Sequence, residues 1–239
     1  MSELFGTDGI RGVANRYPLD GETVMKAGRA IAAFFENHAG DAGRFLIGQD
    51  TRISGNMLVS ALAAGICSMG KDVYLAGVIP TPGVAYLTSV DQFDAGIVIS
   101  ASHNPFHDNG IKLFKQDGYK LADDAERSIE QLIEDHGSLS KKCQSIDRVG
   151  RIHHIGDASE RYRRFLGKCL SGGVSLDGMK LVIDCSNGAA SDIAPLLFES
   201  LGATVKTVFC RPDGININAD CGSQHPEALA KKVAAENAD

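Results

Sequence analysis

The chain has 239 residues, 44% of them hydrophobic, and a formal net charge of −6 at pH 7. This length supplies enough apolar residues for one large core or two smaller ones, and we expect two domains. The acidic balance and the absence of tryptophan disfavour nucleic acid as a partner, because such a surface needs a basic excess and stacking groups. No apolar run approaches the length of a membrane span, so we expect no membrane partner.

The six cysteines contain no C-x-x-C pair, and Cys67, Cys169 and Cys185 lie in apolar stretches. This pattern favours reduced, mostly buried thiols and argues against a zinc site. The first six residues lack the basic and apolar regions of a signal peptide. We therefore expect a cytoplasmic protein.

The first half of the chain predicts a helix followed by a strand–helix–strand unit. Apolar residues at helical spacing predict a helix that begins after Asp20 or Thr23 and ends near Gly40. The next predicted elements are a strand at 45–48, a polar loop at 49–55, a helix over about 57–69 and a strand at 73–75.

The second half repeats this order, which predicts two α/β modules of similar design with a boundary near residue 150. Convergence on the common strand–helix–strand pattern is the alternative explanation. The repeat comprises a strand at 181–183, a small-residue loop at 184–190, a helix over 193–201 and a strand at 204–208. Between the units we expect helices near 125–133 and over 157–170, the second with a solvated, arginine-rich face.

The most informative segment is Ser-Ala-Ser-His-Asn-Pro-Phe at 100–106, directly after the buried strand predicted at 95–99. Its small side chains would let backbone N–H groups approach a bound anion. Ser102, beside His103, is a candidate nucleophile or phosphate carrier. A polar turn after a strand is the alternative interpretation, and the pattern alone does not decide between them.

Lys112 follows an Asn-Gly pair, which is a hairpin signal and predicts that 111–114 runs antiparallel to 95–99. Strand alternation then places Lys112 on the face opposite Ile111, from which it could reach the loop at 100–105, here called the serine loop. It would neutralise phosphate or exchange a proton there. A solvent-facing strand lysine is the alternative.

Ligands of open α/β sheets bind beyond the carboxyl ends of the strands. This rule nominates the loops at 50–55, 100–105 and 184–190 as candidates for binding or chemistry. The glycine-rich segment 5–12 is a fourth candidate, although a mobile N-terminal arm is its simpler interpretation.

Taken together, the motifs resemble the α-D-phosphohexomutase superfamily, and within it the bacterial phosphoglucosamine mutases. The motifs that carry the resemblance are FGTDGIRG at 5–12, DTRISG at 50–55, TPGVAYLT at 81–88, ISASHNP at 99–105, DNGIK at 108–112 and GININADCGSQHPE at 214–227. The resemblance implies the first two of four domains: two related three-layer α/β/α domains with mixed sheets. We place them at 1–152 and 153–239.

The resemblance also implies a reaction, the interconversion of glucosamine 6-phosphate and glucosamine 1-phosphate, which feeds UDP-N-acetylglucosamine synthesis. Phosphorylated Ser102, rather than Ser100, would donate its phosphoryl group, and a bisphosphorylated sugar would return its other phosphate. By the same resemblance Arg11 would contact phosphate, and Lys112 would be the acid/base or phosphate-contacting lysine. His103 would hydrogen-bond near Ser102, and Asn104 would contact phosphate.

A Mg²⁺ ion is the implied cofactor, bound by an oxygen of phospho-Ser102 together with carboxylates. The family's metal loop, Asp-Gly-Asp-Gly-Asp-Arg, does not occur in the sequence. We therefore expect the remaining ligands beyond Asp239, and we expect this stretch alone to bind Mg²⁺ weakly and to be inactive.

Two other functions stay open on the sequence. A phosphomannomutase or phosphoglucomutase would perform the same chemistry on another hexose phosphate. A non-catalytic truncated or split binding module belongs to a different class. A homodimer is also left open.

Overall fold

The computed structural model describes residues 4–6, 9–39, 43–169 and 175–239. The strands are β1 (Phe5–Gly6), β2 (Gly9–Val13), β3 (Arg44–Gln49), β4 (Asp72–Val78), β5 (Ala95–Ile99), β6 (Asp108–Lys115), β7 (Ile152–His154), β8 (Lys180–Asp184) and β9 (Thr204–Val208). The α-helices are α1 (Gly21–Ala39), α2 (Gly55–Ser68), α3 (Thr81–Val90), α4 (Asp123–Glu134), α5 (His136–Lys141), α6 (Ala158–Cys169), α7 (Ala194–Ser200) and α8 (Glu227–Glu236).

Seven strands form one mixed sheet in the order β1-β2-β6-β5-β3-β4-β7. β3 pairs in parallel with β4 and β5, whereas β6 runs antiparallel to both β5 and β2. Gln49, the last residue of β3, lies opposite Ile99, the last residue of β5. Asp50 and Ser100 therefore leave the sheet at the same edge.

Helices cover both faces of this sheet, which makes the first module a three-layer α/β/α structure. Phe45 and Ile47 point to the face packed by α1, α2 and α4, while Leu46 points to the face packed by α3 and α6. Because both faces are covered, β3 is an almost continuous apolar run rather than an alternating one. This confirms the predicted fold class for the larger sheet.

The N-terminal segment is part of the sheet and not a mobile arm, as far as the described residues show. Residues 10–13 of β2 pair with β6, and Arg11 lies opposite Gly110. Thr7 and Asp8, which belong to the same motif, lie outside the described residues. The interpretation as an arm is wrong, because β1 pairs with β2 and β2 pairs with β6.

The Asn109-Gly110 pair lies inside β6 and does not form a hairpin turn. The antiparallel pairing of β5 with β6 is confirmed, but residues 100–107 make the connection. Asn109 is fully buried; its side chain donates to Ser54 Oγ at 2.8 Å and accepts from the Gly110 N–H at 2.9 Å. These side-chain hydrogen bonds suit an asparagine within the strand.

The second module contains a parallel pair, β8 and β9, joined through α7, so the repeated strand–helix–strand order is confirmed. β7 straddles the boundary predicted between residues 152 and 153, because all three of its residues pair with β4. The division into 1–152 and 153–239 stays a prediction. Arg161 is not on a solvated face, since it forms a two-pronged ion pair with Asp91 at the end of α3.

The six cysteines are all free thiols. Only Cys185 and Cys221 are buried, whereas Cys169 is exposed and the other three are half-buried. The expectation of mostly buried thiols is therefore wrong. In the part of the chain that the structure describes, no helix is long and apolar enough to cross a membrane.

Candidate active site

Ser102 occupies a strained position at the carboxyl edge of the sheet. Its φ is +57°, in the left-handed region that residues other than glycine rarely adopt. The residue is exposed, whereas Ser100 is buried and its Oγ accepts a hydrogen bond from the Ser102 N–H at 3.1 Å. Ser102 is thus the accessible hydroxyl, and Ser100 supports the turn.

Arg52 supports the serine loop through hydrogen bonds to its backbone. Its side chain is fully buried and forms an ion pair with Asp50, whose other oxygen accepts from the Arg52 backbone N–H at 3.0 Å. The guanidinium Nη2 donates to the carbonyl of Asn104 at 2.6 Å and to that of Ser102 at 3.2 Å. Burial lowers the pKa of Arg52 below its ordinary value, and the charge of Asp50 opposes that shift. An arginine still remains a cation at neutral pH.

Asn218, in the second module, binds the same two carbonyls from the other side. Its Nδ2 lies 2.9 Å from the Ser102 oxygen and 3.0 Å from the Asn104 oxygen. The backbone of Asn218 has φ +58°, and its N–H donates to the carbonyl of Ser186 at 2.9 Å. The loop after β8 therefore supports Asn218, which in turn contacts the serine loop.

Two further hydrogen bonds join the modules beside this contact. Thr51 Oγ1 donates to the carbonyl of Asn187 at 2.6 Å. The N–H of Ile53 donates to the carbonyl of Gly214 at 2.9 Å. The loop after β3 is therefore attached to the second module as well as to the serine loop.

Arg11 and Lys112 lie on one face of the sheet, next to the serine loop. Lys112 is opposite Val98 of β5, and Arg11 is opposite Gly110, two residues before Lys112 on the same strand. Residues two apart in a strand share a face. Arg11 Nη1 also lies 3.4 Å from the carbonyl of Ala101, and Lys112 is half-buried.

His103 and Asn104 follow Ser102 directly, and their environments differ from each other. His103 is exposed. Asn104 is half-buried; its side-chain amide donates to Asp108 at 3.0 Å, while its carbonyl accepts from Arg52 and Asn218. In this geometry the observed contacts of Asn104 are structural.

A cavity of about 180 Å³ lies between the serine loop and the second module. Asp50, Ser100 and Ser102 line it from one side, and Cys185, residues 188–190 and Asn218 line it from the other. Burial and the neighbouring Cys210 raise the pKa of Cys185 in this wall to about 12. Its thiol is therefore protonated at neutral pH, and Ser102 has no competing thiolate there.

The structure brings together the three loops that the carboxyl-edge rule nominated, at 50–55, 100–105 and 184–190. Sequence reasoning missed Arg52 as a support of the serine loop, and it missed Asn218 altogether. Arg52 lies in the DTRISG motif and Asn218 in the GININADCGSQHPE motif, so these motifs are the sequence signal for both residues. Nothing in the local pattern, however, tells which carbonyls their side chains bind.

The described residues do not form a magnesium site. No three acidic, histidine or cysteine side chains among them cluster as metal ligands. Near Ser102, the carboxylate of Asp50 is bound to Arg52 and that of Asp108 to Asn104. Mg²⁺ requires several oxygens in octahedral array, and this part of the chain does not supply them.

Comparisons with known proteins agree with this fold. Residues 2–139 match the model of phosphoglucomutase/phosphomannomutase, alpha/beta/alpha domain I. Over the whole chain, the sequence is 52% identical to the phosphoglucosamine mutase of Syntrophus aciditrophicus, covering 53% of that protein. It is 51% identical to that of Pelotomaculum thermopropionicum, again covering 53% of that protein. The chain thus spans about half the length of these curated relatives.

Solved structures show the same architecture. A phosphoglucomutase/phosphomannomutase family protein from Burkholderia thailandensis superposes with a TM-score of 0.83 at 28% identity, covering 100% of this chain and 51% of that one. Parafusin, a phosphoglucomutase from Paramecium, shares the fold with a TM-score of 0.62 at 17% identity, covering 88% of this chain and 44% of that one. The chain belongs to the phosphoglucomutase/phosphomannomutase family.

Proposed function

We propose that the full-length protein is a phosphoglucosamine mutase, which interconverts glucosamine 6-phosphate and glucosamine 1-phosphate. The observation that carries this proposal is 51–52% identity, over the entire chain, to proteins of that name. The aligned length covers both modules. A cytoplasmic location, in keeping with six free thiols, is part of the same proposal.

In the proposed cycle, phosphorylated Ser102 transfers its phosphoryl group to the O1 hydroxyl of glucosamine 6-phosphate. The resulting 1,6-bisphosphate returns its O6 phosphoryl group to Ser102, which releases glucosamine 1-phosphate. The reaction consumes no phosphate overall, because the serine ends each cycle as it began. An exposed hydroxyl on a backbone that several hydrogen bonds fix suits such a carrier.

Phosphoryl transfer depends on positioning and charge neutralisation more than on covalent chemistry by the protein. We assign the neutralising role to Arg11 and Lys112, because they share the sheet face beside the serine loop. Lys112 is also the proposed acid/base group for the sugar hydroxyl. His103 is the proposed polar neighbour of the phosphate, since it is exposed next to Ser102.

The test is a mutase assay of the full-length protein with glucosamine 6-phosphate in a buffer that contains Mg²⁺, the cofactor implied by the resemblance. Ser102→Ala should lower kcat by at least about 1,000-fold, because it removes the group that forms the covalent intermediate. Ser100→Ala, two residues away, is the matched control and should retain kcat within about tenfold, since it loses only one supporting hydrogen bond.

Parallel assays with glucose 6-phosphate and mannose 6-phosphate separate the related activities. A preference for either sugar would replace the glucosamine assignment with a phosphoglucomutase or phosphomannomutase. A full-length wild type that is inactive on all three would favour a non-catalytic module. Full activity of Ser102→Ala would contradict the phosphoserine mechanism itself.

A further inference from the structure

The carbonyls of Ser102 and Asn104 are held by two side chains that come from different modules. Arg52 Nη2 donates to both carbonyls from within the first module. Asn218 Nδ2 donates to the same two carbonyls from the second module, 116 residues from Ser102 in sequence. We call these four hydrogen bonds the carbonyl clamp.

The clamp holds a residue whose backbone conformation is unfavourable. Ser102 has φ +57°, and a side chain with a Cβ disfavours that conformation unless its surroundings impose it. Locally, the loop contributes the Ser102 N–H bond to Ser100 Oγ and the Asn104 N–H bond to the Ala101 carbonyl. The clamp adds the contacts that fix the carbonyl side of the same turn.

We propose that Asn218 is a positioning residue for phosphoryl transfer at Ser102. From the second module it holds the Ser102 carbonyl, and thereby the backbone that carries the reacting hydroxyl. This inference rests on the proposed function for its catalytic consequence, but the clamp itself is a property of the fold. Displacement of a reacting group by about 1 Å can cost about 100-fold in rate, so a loosened turn should be visible in kcat.

Asparagine suits this role better than aspartate or glycine would. Its NH₂ group supplies two donors, which match two carbonyl acceptors. Its backbone is at φ +58°, a conformation that asparagine tolerates better than most residues. Aspartate would keep the shape and present an oxygen to both carbonyls, whereas glycine would keep the backbone conformation and remove the donors.

Substitutions at Asn218 test positioning better than substitutions at Arg52, because they should disturb the fold less. Arg52 is fully buried in an ion pair with Asp50, so its removal disturbs the core. Asn218 is only half-buried, and its backbone bond to Ser186 does not depend on its side chain. Variants at Asn218 should therefore leave the melting temperature close to that of the wild type.

The experiment compares Asn218→Asp and Asn218→Gly with wild type in the full-length protein. Asn15→Gly is the matched control, because Asn15 is an exposed asparagine with nearly the same backbone conformation, φ +60°.

Two readouts are required: kcat and KM for glucosamine 6-phosphate, and hydrogen exchange of the amides in residues 100–104. Both Asn218 variants should lower kcat by about 10- to 100-fold, with KM within about twofold, and should exchange faster in that segment. Asn15→Gly should change neither.

Unchanged exchange in residues 100–104 in both Asn218 variants would overturn the clamp. A loss confined to KM, or a wild-type kcat despite faster exchange, would overturn its positioning role. If the wild type itself lacks mutase activity, the proposed function fails and the exchange readout decides the clamp alone. Faster exchange then supports the clamp, and unchanged exchange overturns it.

Discussion

At the scale of single residues, Arg52 links the core of the first module to the candidate site. The same guanidinium neutralises buried Asp50 and binds the carbonyls of Ser102 and Asn104. A buried charge without its partner is strongly destabilising, because neither water nor a counter-ion compensates it. Arg52 should therefore matter to folding before it matters to chemistry.

Replacing Arg52 with methionine, which keeps much of the side-chain length, should lower the free energy of unfolding by about 3–5 kcal/mol. The loss arises because Asp50 stays buried without its cation. Urea denaturation measures it. Arg164→Met is the matched control: Arg164 pairs with Glu160 on an exposed helix surface, so its loss should cost less than about 1 kcal/mol. Equal effects of the two substitutions would contradict the importance of the buried pair.

At the scale of elements, two local features of the sequence determine how α1 starts and how it packs. Asp20 caps the helix, since its carboxylate accepts from the Thr23 N–H at 2.9 Å and from Thr23 Oγ1 at 2.8 Å. Gly28 and Gly65 let α1 and α2 approach closely: a Cβ on Gly65 would lie 2.2 Å from the carbonyl oxygen of Met25. Each feature gives a test of its own.

The cap should make stability depend on pH. Burial raises the pKa of Asp20, but hydrogen bonds from Thr23 and from the backbone N–H groups of Asp20 and Glu22 together outweigh it, so the pKa in the folded protein is below its ordinary value. The stabilisation from ionised Asp20 is therefore present above about pH 4 and lost as pH falls through the lowered pKa. Asp20→Ala should cost about 1 kcal/mol at pH 7, and Asp20→Asn much less.

Chemical denaturation of these variants at pH 7 and pH 3 measures the effect. The stability gap between wild type and Asp20→Asn should shift in favour of the asparagine variant at the lower pH, because asparagine does not titrate. A gap that does not change with pH would show that the charge of Asp20 plays no part in capping α1.

The helix crossing should not tolerate even one methyl group. Gly65→Ala forces the backbones of α1 and α2 apart and should lower the free energy of unfolding by about 1–3 kcal/mol. Gly137→Ala in α5 is the control, because a Cβ there meets no atom within 4 Å. It should be neutral or raise stability by up to about 1 kcal/mol, as expected for alanine in a helix. Thermal and urea denaturation compare the two, and a stable Gly65→Ala variant would contradict the close approach.

At the scale of the whole molecule, topology brings the site together. β3 and β5 are parallel neighbours, so their following loops meet, and β6 returns antiparallel beside them with Lys112. This much could be predicted, because buried strands and polar loops have strong local signals and the carboxyl-edge rule joins them. Helices α3, α5 and α8 were not predicted, since their apolar spacing is weak or interrupted.

What the sequence could not predict is long-range and depends on single hydrogen bonds. The Asn-Gly pair at 109–110 has a turn signal, yet pairing with β2 and the buried bond to Ser54 keep it in β6. Likewise, no local pattern shows that Asn218 binds the carbonyl of Ser102 across 116 residues. Such contacts follow from the packing of the modules and not from periodicity.

The most direct test of the phosphoserine mechanism is to locate the phosphoryl group in the full-length protein. The protein is loaded with a hexosamine 1,6-bisphosphate, digested and mapped by mass spectrometry, before and after mixing with glucosamine 6-phosphate. We predict one phosphoryl group, on Ser102, that exchanges with substrate during turnover, is absent in Ser102→Ala and persists in Ser100→Ala. A phosphoryl group on another residue, or one on Ser102 that stays unchanged while the sugar phosphate turns over, would contradict this mechanism.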